Sequence, residues 1–322
     1  MTADAPKRWK RRALSWGIAV LVIGLVAYFF VAALWDNWDQ VAAEHLSFDW
    51  LWLVAILTFA LAVPLTGLLW RRILRLLSPQ SEVSATEAIV LQCASWLLKY
   101  IPGQVGAVVN KVLWAGKKGV SRSLVIVTFI YENVFLQLAS IIPSAAILLV
   151  SLGGGFFGDN ATLLIVPLLI LVPLALVTYQ PFFHRIVSIP ARRVLHHELP
   201  PSYFLNTFQA LRCAVEFIGP RVLNGFGFVV LASTVTTVSP SEWLPFGAAY
   251  VLAGAIGILA FFVPSGLGVR EAIIVLVLSQ YMPTAEAIVI SLLARLFSTF
   301  GDGVVALIYV GLRRTIPKEY RP

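Results

Sequence analysis

Six ionisable residues stand in or beside long apolar stretches of this sequence: Lys99, Glu132, Arg270, Glu271, Arg295 and Asp302. Lys99 opens the run Lys99-Tyr100-Ile101-Pro102-Gly103-Gln104-Val105-Gly106. Arg270 and Glu271 close the run Pro264-Ser265-Gly266-Leu267-Gly268-Val269-Arg270-Glu271. Both runs contain Pro-x-x-x-Gly, the residue types that interrupt a helix. A helix restarting after such a break offers N–H groups without intrahelical partners and the positive end of its dipole. Glycine lets that backbone approach a ligand closely. With Lys99 and Arg270 at the breaks, and Asn110 and Lys111 about a turn beyond the first, this chemistry suits an anion such as phosphate. Charges at membrane depth are costly and usually functional, which makes Glu132, Arg295 and Asp302 candidates for gating or coupling. The structural alternative is mutual pairing, Glu132 with Arg295 and Glu271 near Arg270. Asp302, between Gly301 and Gly303, reads equally as the mark of a close helix contact.

The elements that must position these residues are membrane helices. Of 322 residues, 59% are hydrophobic and 12% charged, about half the charge of a soluble domain. That excludes an ordinary cytosolic enzyme and a disordered chain. Apolar spans are predicted over 13–34, 50–70, 124–150, 161–180, 222–239 and 286–312, the first two without a charge, with prolines inside several of them tolerable in a bundle. Two segments are too short or too broken to be simple spans. Residues 86–110 break at Pro102-Gly103 and have basic flanks on both sides, so they read as a re-entrant hairpin entering from the cytoplasm. Residues 246–281 break at 264–268 and have acidic flanks, so they read as a hairpin entering from outside. With this topology 21 of the 24 Lys and Arg face the cytoplasm, as the positive-inside rule requires. Arg221 is counted there, in the connection 181–221. The external loops hold only acids: Asp36, Asp39, Glu44, Asp49, Asp159, Glu242 and Glu286. The net charge of +8 is therefore orientation, and no nucleic-acid partner is expected.

The predicted fold class is an all-α polytopic membrane protein: six full spans plus two oppositely oriented re-entrant hairpins in an inverted repeat. The halves are 1–155 and 156–322, each reading span, span, hairpin, span. Three crossings per half invert the second relative to the first, an arrangement that places broken helices near mid-membrane in transporters. Glu132 lies 26 residues after Gly106, and Arg295 lies 27 after Gly268. Residues 203–218 carry Phe204, Phe208, Leu211, Val215 and Ile218 at helical spacing, which reads as an amphipathic helix on the inner surface or as a short packing helix.

Several chemistries are missing. No phosphate-binding G-x-x-x-x-G-K-[ST] and no H-E-x-x-H is present, and His196-His197-Glu198 reads as solvated. Cys93 and Cys213 read as buried thiols. No cofactor and no metal is expected.

The two runs, together with Gly119-Val120-Ser121-Arg122-Ser123, Glu132 and Arg295, resemble the lysylphosphatidylglycerol synthase transmembrane region, a flippase-like domain family. The likeness covers most of 50–312. The chain departs from that pattern at Lys99, where Arg is common, at Gln104 within a longer glycine run, and at Asn133, where an Arg often follows the glutamate. The resemblance implies a domain handling lipids between leaflets. The aminoacyl-transferase domain of its best-known members is absent from these 322 residues, so synthesis of an aminoacyl lipid is not expected.

Together these readings predict a lipid translocase of the bacterial inner membrane with both termini cytoplasmic. Its partner would be an anionic, phosphate-bearing lipid: an aminoacyl-phospholipid, a phospholipid or a polyprenyl-phosphate-linked sugar. The rivals are a membrane-embedded transferase acting on a lipid phosphate, with Glu132 or Glu271 as acid or base, and a non-catalytic partner of a lipid- or glycan-synthesis enzyme.

Overall fold

The computed structural model describes residues 49–100, 105–159, 162–195, 199–259 and 268–321. The predicted span 13–34 and both hairpin tips, with Pro102, Gly103, Gln104, Pro264, Ser265 and Gly266, lie outside the described residues. Everything described is helix, turn or connector, with no strand among the described residues.

Helix α1 (Trp50–Leu77) starts at Asp49, whose carboxylate accepts from the Leu51 N–H at 3.0 Å, and it runs through Pro64 without ending. Arg71 donates to the Val83 carbonyl at 2.6 Å and so folds the connector back toward α2 (Ala85–Leu97). Ser84 caps α2 through the Glu87 N–H. A 3-10 turn (Leu98–Tyr100) carries Lys99. Then follow α3 (Val105–Lys118) and α4 (Arg122–Asp159), the latter kinked at Gly153, whose φ of 73° suits glycine.

The second half opens with α5 (Thr162–Leu176), which stops earlier than the predicted 161–180 because a turn at 177–179 precedes α6 (Gln180–Leu195). Helix α7 (Thr207–Glu216) is closed by a reciprocal cap between Asn206 and Gln209. Helix α8 (Ile218–Ala232) follows at once; it begins four residues before the predicted 222 and ends where the Ser233 and Thr234 hydroxyls turn back onto the Val230 and Leu231 carbonyls. Last come α9 (Trp243–Leu259), α10 (Val269–Leu278) and α11 (Thr284–Leu312). Among the described residues, four stretches are long and apolar enough to cross a membrane: 50–77, 122–153, 201–232 and 284–315. Helix α10, ten residues long, extends only about 15 Å, half of a bilayer's hydrocarbon.

The centre of the bundle is the antiparallel pair α1 and α8. Helix α2 packs on α1 and α11, while α9 packs on α8 and α4; α3 lies against α4, and α10 lies against α11. Glycines permit the closest approaches. A Cβ on Gly227 would meet Thr58 Oγ1 at 2.3 Å, and Gly225 faces the Gly247 backbone at 3.3 Å. Phe59, Phe228 and Tyr250 stack where α1, α8 and α9 meet, with ring centroids 5.2 and 4.8 Å from Tyr250. A second apolar cluster joins α4 to the connection 181–221. There Tyr131, Phe135, Phe183, Phe204 and Phe217 pack together, and the Tyr131 hydroxyl accepts from the Leu205 N–H at 3.1 Å. Helix α7 turns Ala210 and Cys213 inward and leaves Phe208, Leu211 and Val215 exposed. Of the apolar stripe read from the sequence, Phe208, Leu211 and Val215 form the outer face of α7, while Phe204 is buried in the aromatic cluster and Ile218 packs against it.

Candidate functional site

The sequence-predicted residues separate into two groups. The first lies between α2, α3 and α4. Lys111 of α3 and Glu132 of α4 form a buried ion pair, 0% and 3% exposed. Gln92 of α2 donates to the other Glu132 oxygen at 2.7 Å. The Lys111 ammonium also sits 4.6 Å from the Trp70 ring. Beside this pair, Glu87 accepts from Trp114 and Lys118, both at 3.1 Å. Asn110 donates to Ser95 Oγ at 3.1 Å. These contacts tie α2, α3 and α4 together. Glu132 does not reach Arg295, and Asn110 bonds across the arms of the first hairpin. The sequence pairing of Glu132 with Arg295 is corrected accordingly: each is met by a residue of the return arm next to it.

The second group forms at the middle of the bundle. Lys99 contacts both oxygens of Asp302, at 2.8 and 2.7 Å, and lies 4.4 Å from the Trp96 ring, whose indole N–H donates to Asp302 at 2.7 Å. Gly301, next to Asp302, makes the close helix contact expected of that triplet: a Cβ there would meet Phe59 Cβ at 3.3 Å. Asp302 itself faces Lys99. Glu271 spans two partners: it accepts from Arg295 at 2.6 Å and from the Gly268 N–H at 2.8 Å. Gly268 holds a φ of 81°, a backbone state that favours glycine. The N–H of the residue that precedes α10 is therefore taken by a carboxylate from the first turn of the same helix. Arg270 stacks its guanidinium 4.4 Å from the buried Tyr250 ring. Tyr100 lies in the 3-10 turn and Gly106 in the first turn of α3.

One residue of this second group is missed by the sequence reading. Arg221 sits in the first turn of α8, one turn before Gly225 on the face turned to α9. The antiparallel contact of Gly225 with Gly247 carries it toward Tyr250, and it interacts electrostatically with both Tyr250 and Arg270. Its Nε is buried with no hydrogen-bond partner. In sequence it adjoins the basic connection 181–221 and reads as one more cytoplasmic charge; the i+4 spacing to Gly225 is the signal that could have found it. Lys99 in turn interacts with Asp302, Arg270 and Arg295, so the 3-10 turn after α2, the start of α10 and α11 bring their charges to one place.

The depth of this place follows from α1. Tyr250 and Gly301 both pack on Phe59, nine residues from the start of a 28-residue helix. At 1.5 Å per residue that is roughly 14 Å in, near the middle of roughly 30 Å of hydrocarbon. Two acids, Asp302 and Glu271, neutralise two of the cations. Among the described residues, Arg221 and Arg270 have no carboxylate in ion-pair contact. Such an arrangement can hold an anion away from water, because guanidinium groups match phosphate oxygens in geometry and charge. No group of three or more metal-ligating side chains occurs among the described residues.

No curated protein matches the sequence significantly. A family model does match, over residues 16–306, and its description is the lysylphosphatidylglycerol synthase TM region. The match includes every charged residue of the central cluster. The chain is thus a multi-pass membrane protein that belongs to the lysylphosphatidylglycerol synthase TM region family.

Proposed function

We propose that this protein is a lipid translocase that moves an anionic, phosphate-bearing lipid between leaflets. The observation that carries the reading is the pair Arg221 and Arg270, two guanidinium groups without a carboxylate partner at mid-membrane depth. A charge kept there at high cost needs a compensating ligand. The phosphate would enter between the hairpin tips and meet Arg270, Arg221 and Lys99, while the acyl or prenyl tails stay in the bilayer. Asp302 and Glu271 hold Lys99 and Arg295 and yield them as the phosphate arrives. This exchange keeps Lys99 and Arg295 paired throughout and lowers the barrier to crossing.

The packing supports reading the halves as inverted repeats. Exchanging α1 with α8, α2 with α9, α3 with α10 and α4 with α11 maps the contacts of the bundle onto themselves. The ion pairs follow the same exchange with polarity reversed: Lys111 to Glu132 in one half, Glu271 to Arg295 in the other. The basic flanks of the first hairpin favour an inner-membrane orientation with both termini in the cytoplasm. The family description, which names a phospholipid, favours a phospholipid as cargo.

The test is translocation of fluorescent anionic lipids in liposomes reconstituted with the protein. Arg270→Ala should cut the rate at least tenfold without lowering folded yield. Unchanged rates in a Lys99→Ala/Arg270→Ala double variant would overturn the mechanism. Chemical conversion of the lipid would instead point to a membrane-embedded transferase.

A further inference from the structure

The charge of the central cluster specifies more than an anion. Resting on the translocase reading, we infer that the site selects a head group with two negative charges on one phosphate, a phosphomonoester, over a phosphodiester with a single charge. Lys99, Arg221, Arg270 and Arg295 supply four positive charges, and Asp302 and Glu271 supply two negative ones. The surplus is two. The hairpin tips cannot change it, because residues 101–104 and 260–267 contain no ionisable side chain. The neighbouring helices do not change it either. Helix α1 has no charged residue between Asp49 and Arg71, Glu132 of α4 is held by Lys111, and α9 offers Tyr250, an uncharged phenol.

The two uncompensated cations also share a neighbour. Both address Tyr250, Arg270 from above its ring and Arg221 from α8. The buried Nε of Arg221, without a hydrogen-bond partner, marks where an acceptor oxygen is missing. A phosphodiester brings one negative charge and leaves a guanidinium uncompensated in a site of low dielectric. A phosphomonoester has three terminal oxygens and neutralises both.

The experiment uses the full chain in nanodiscs and two probes of equal chain length, phosphatidate and phosphatidylglycerol. At pH 8 phosphatidate should bind at least about tenfold tighter, the equivalent of one further charge-assisted hydrogen bond. The second phosphate ionisation of a monoester lies at roughly pH 6, so the preference should collapse by pH 5, while phosphatidylglycerol binding stays level. Arg221→Gln should weaken phosphatidate about tenfold and phosphatidylglycerol less than about twofold. Equal affinities at pH 8, no binding of either lipid, or equal losses in Arg221→Gln would each overturn the inference. The pH series needs only the native chain, so it decides the matter even if that variant fails to fold. Equal binding with translocation intact removes the charge selection and leaves the translocase reading standing. Selective binding without any translocation in liposomes does the reverse.

Discussion

At the scale of single residues, the buried ion pair of Lys111 and Glu132 has a duty separable from that of the central cluster. Lys111 and Glu132 are almost fully enclosed; Gln92 donates to Glu132, and the Lys111 ammonium sits against the Trp70 ring. Removing one partner of such a pair strands a charge and costs about 3–5 kcal/mol, whereas replacing both with apolar residues is often neutral. Lys111→Met should therefore lower the unfolding temperature in detergent sharply, and Lys111→Met/Glu132→Leu should recover most of it. If the recovered protein still translocates lipid, the pair is a latch between α3 and α4 with no part in gating; loss of transport in a folded double variant would return Glu132 to the gate. Gly268 gives a second prediction. With φ at 81° and its N–H bonded to Glu271, Gly268→Ala should cost about 1–2 kcal/mol, read as a lower unfolding temperature. Most of these charges were legible in the sequence because they interrupt apolar stretches. Their partners were not, since pairing depends on how each helix is rotated against its neighbour. Lys111 reads as one of four basic residues flanking the first hairpin, yet it turns inward, while Lys117 stays exposed and bonds the Arg321 carbonyl.

At the scale of elements, the central pair α1 and α8 depends on close backbone approach. Thr58 folds its hydroxyl onto the Val54 and Ala55 carbonyls and so fills the space a side chain at 227 would need. Gly227→Ala should reduce the yield of folded protein in detergent several-fold. Adding Thr58→Ala should restore part of it, because the Ala55 carbonyl would still lie 3.3 Å from the new methyl group. No rescue at all would mean that the backbone contact, and not the hydroxyl, limits the approach. Helix positions were largely readable from apolar length, and α11 and the start of α1 fall within two residues of their predicted limits. The boundary of α8 was not, because Pro220 and Arg221 look like the end of a polar connection. A proline in the first turn of a helix is tolerated, and the apolar face continues from Val215 through Val222 to Phe226.

At the scale of the whole molecule, the orientation is testable with the chain's own cysteines as a silent background. Cys93 and Cys213 are free thiols, 0% and 2% exposed. Cysteines placed at Ser241 and Glu319 should react with a membrane-impermeant maleimide from opposite sides, Ser241→Cys in intact cells and Glu319→Cys only after lysis. Labelling of both from the same side would overturn the proposed topology. The exposed residues Phe208, Leu211, Val215, Val222 and Phe226 run along one outer line of the bundle, the surface a bilayer would cover.

The contact between Lys99 and Asp302 joins residues 203 positions apart. During synthesis the cation emerges long before its counter-charge exists, and Gly301, which fits against Phe59, arrives with that same late helix. Until α11 inserts, the first hairpin holds an unneutralised ammonium in apolar surroundings, a costly state. Assembly in the membrane is thereby completed from the C-terminal end, and nascent chains stalled before residue 302 should be the ones that quality-control proteases remove.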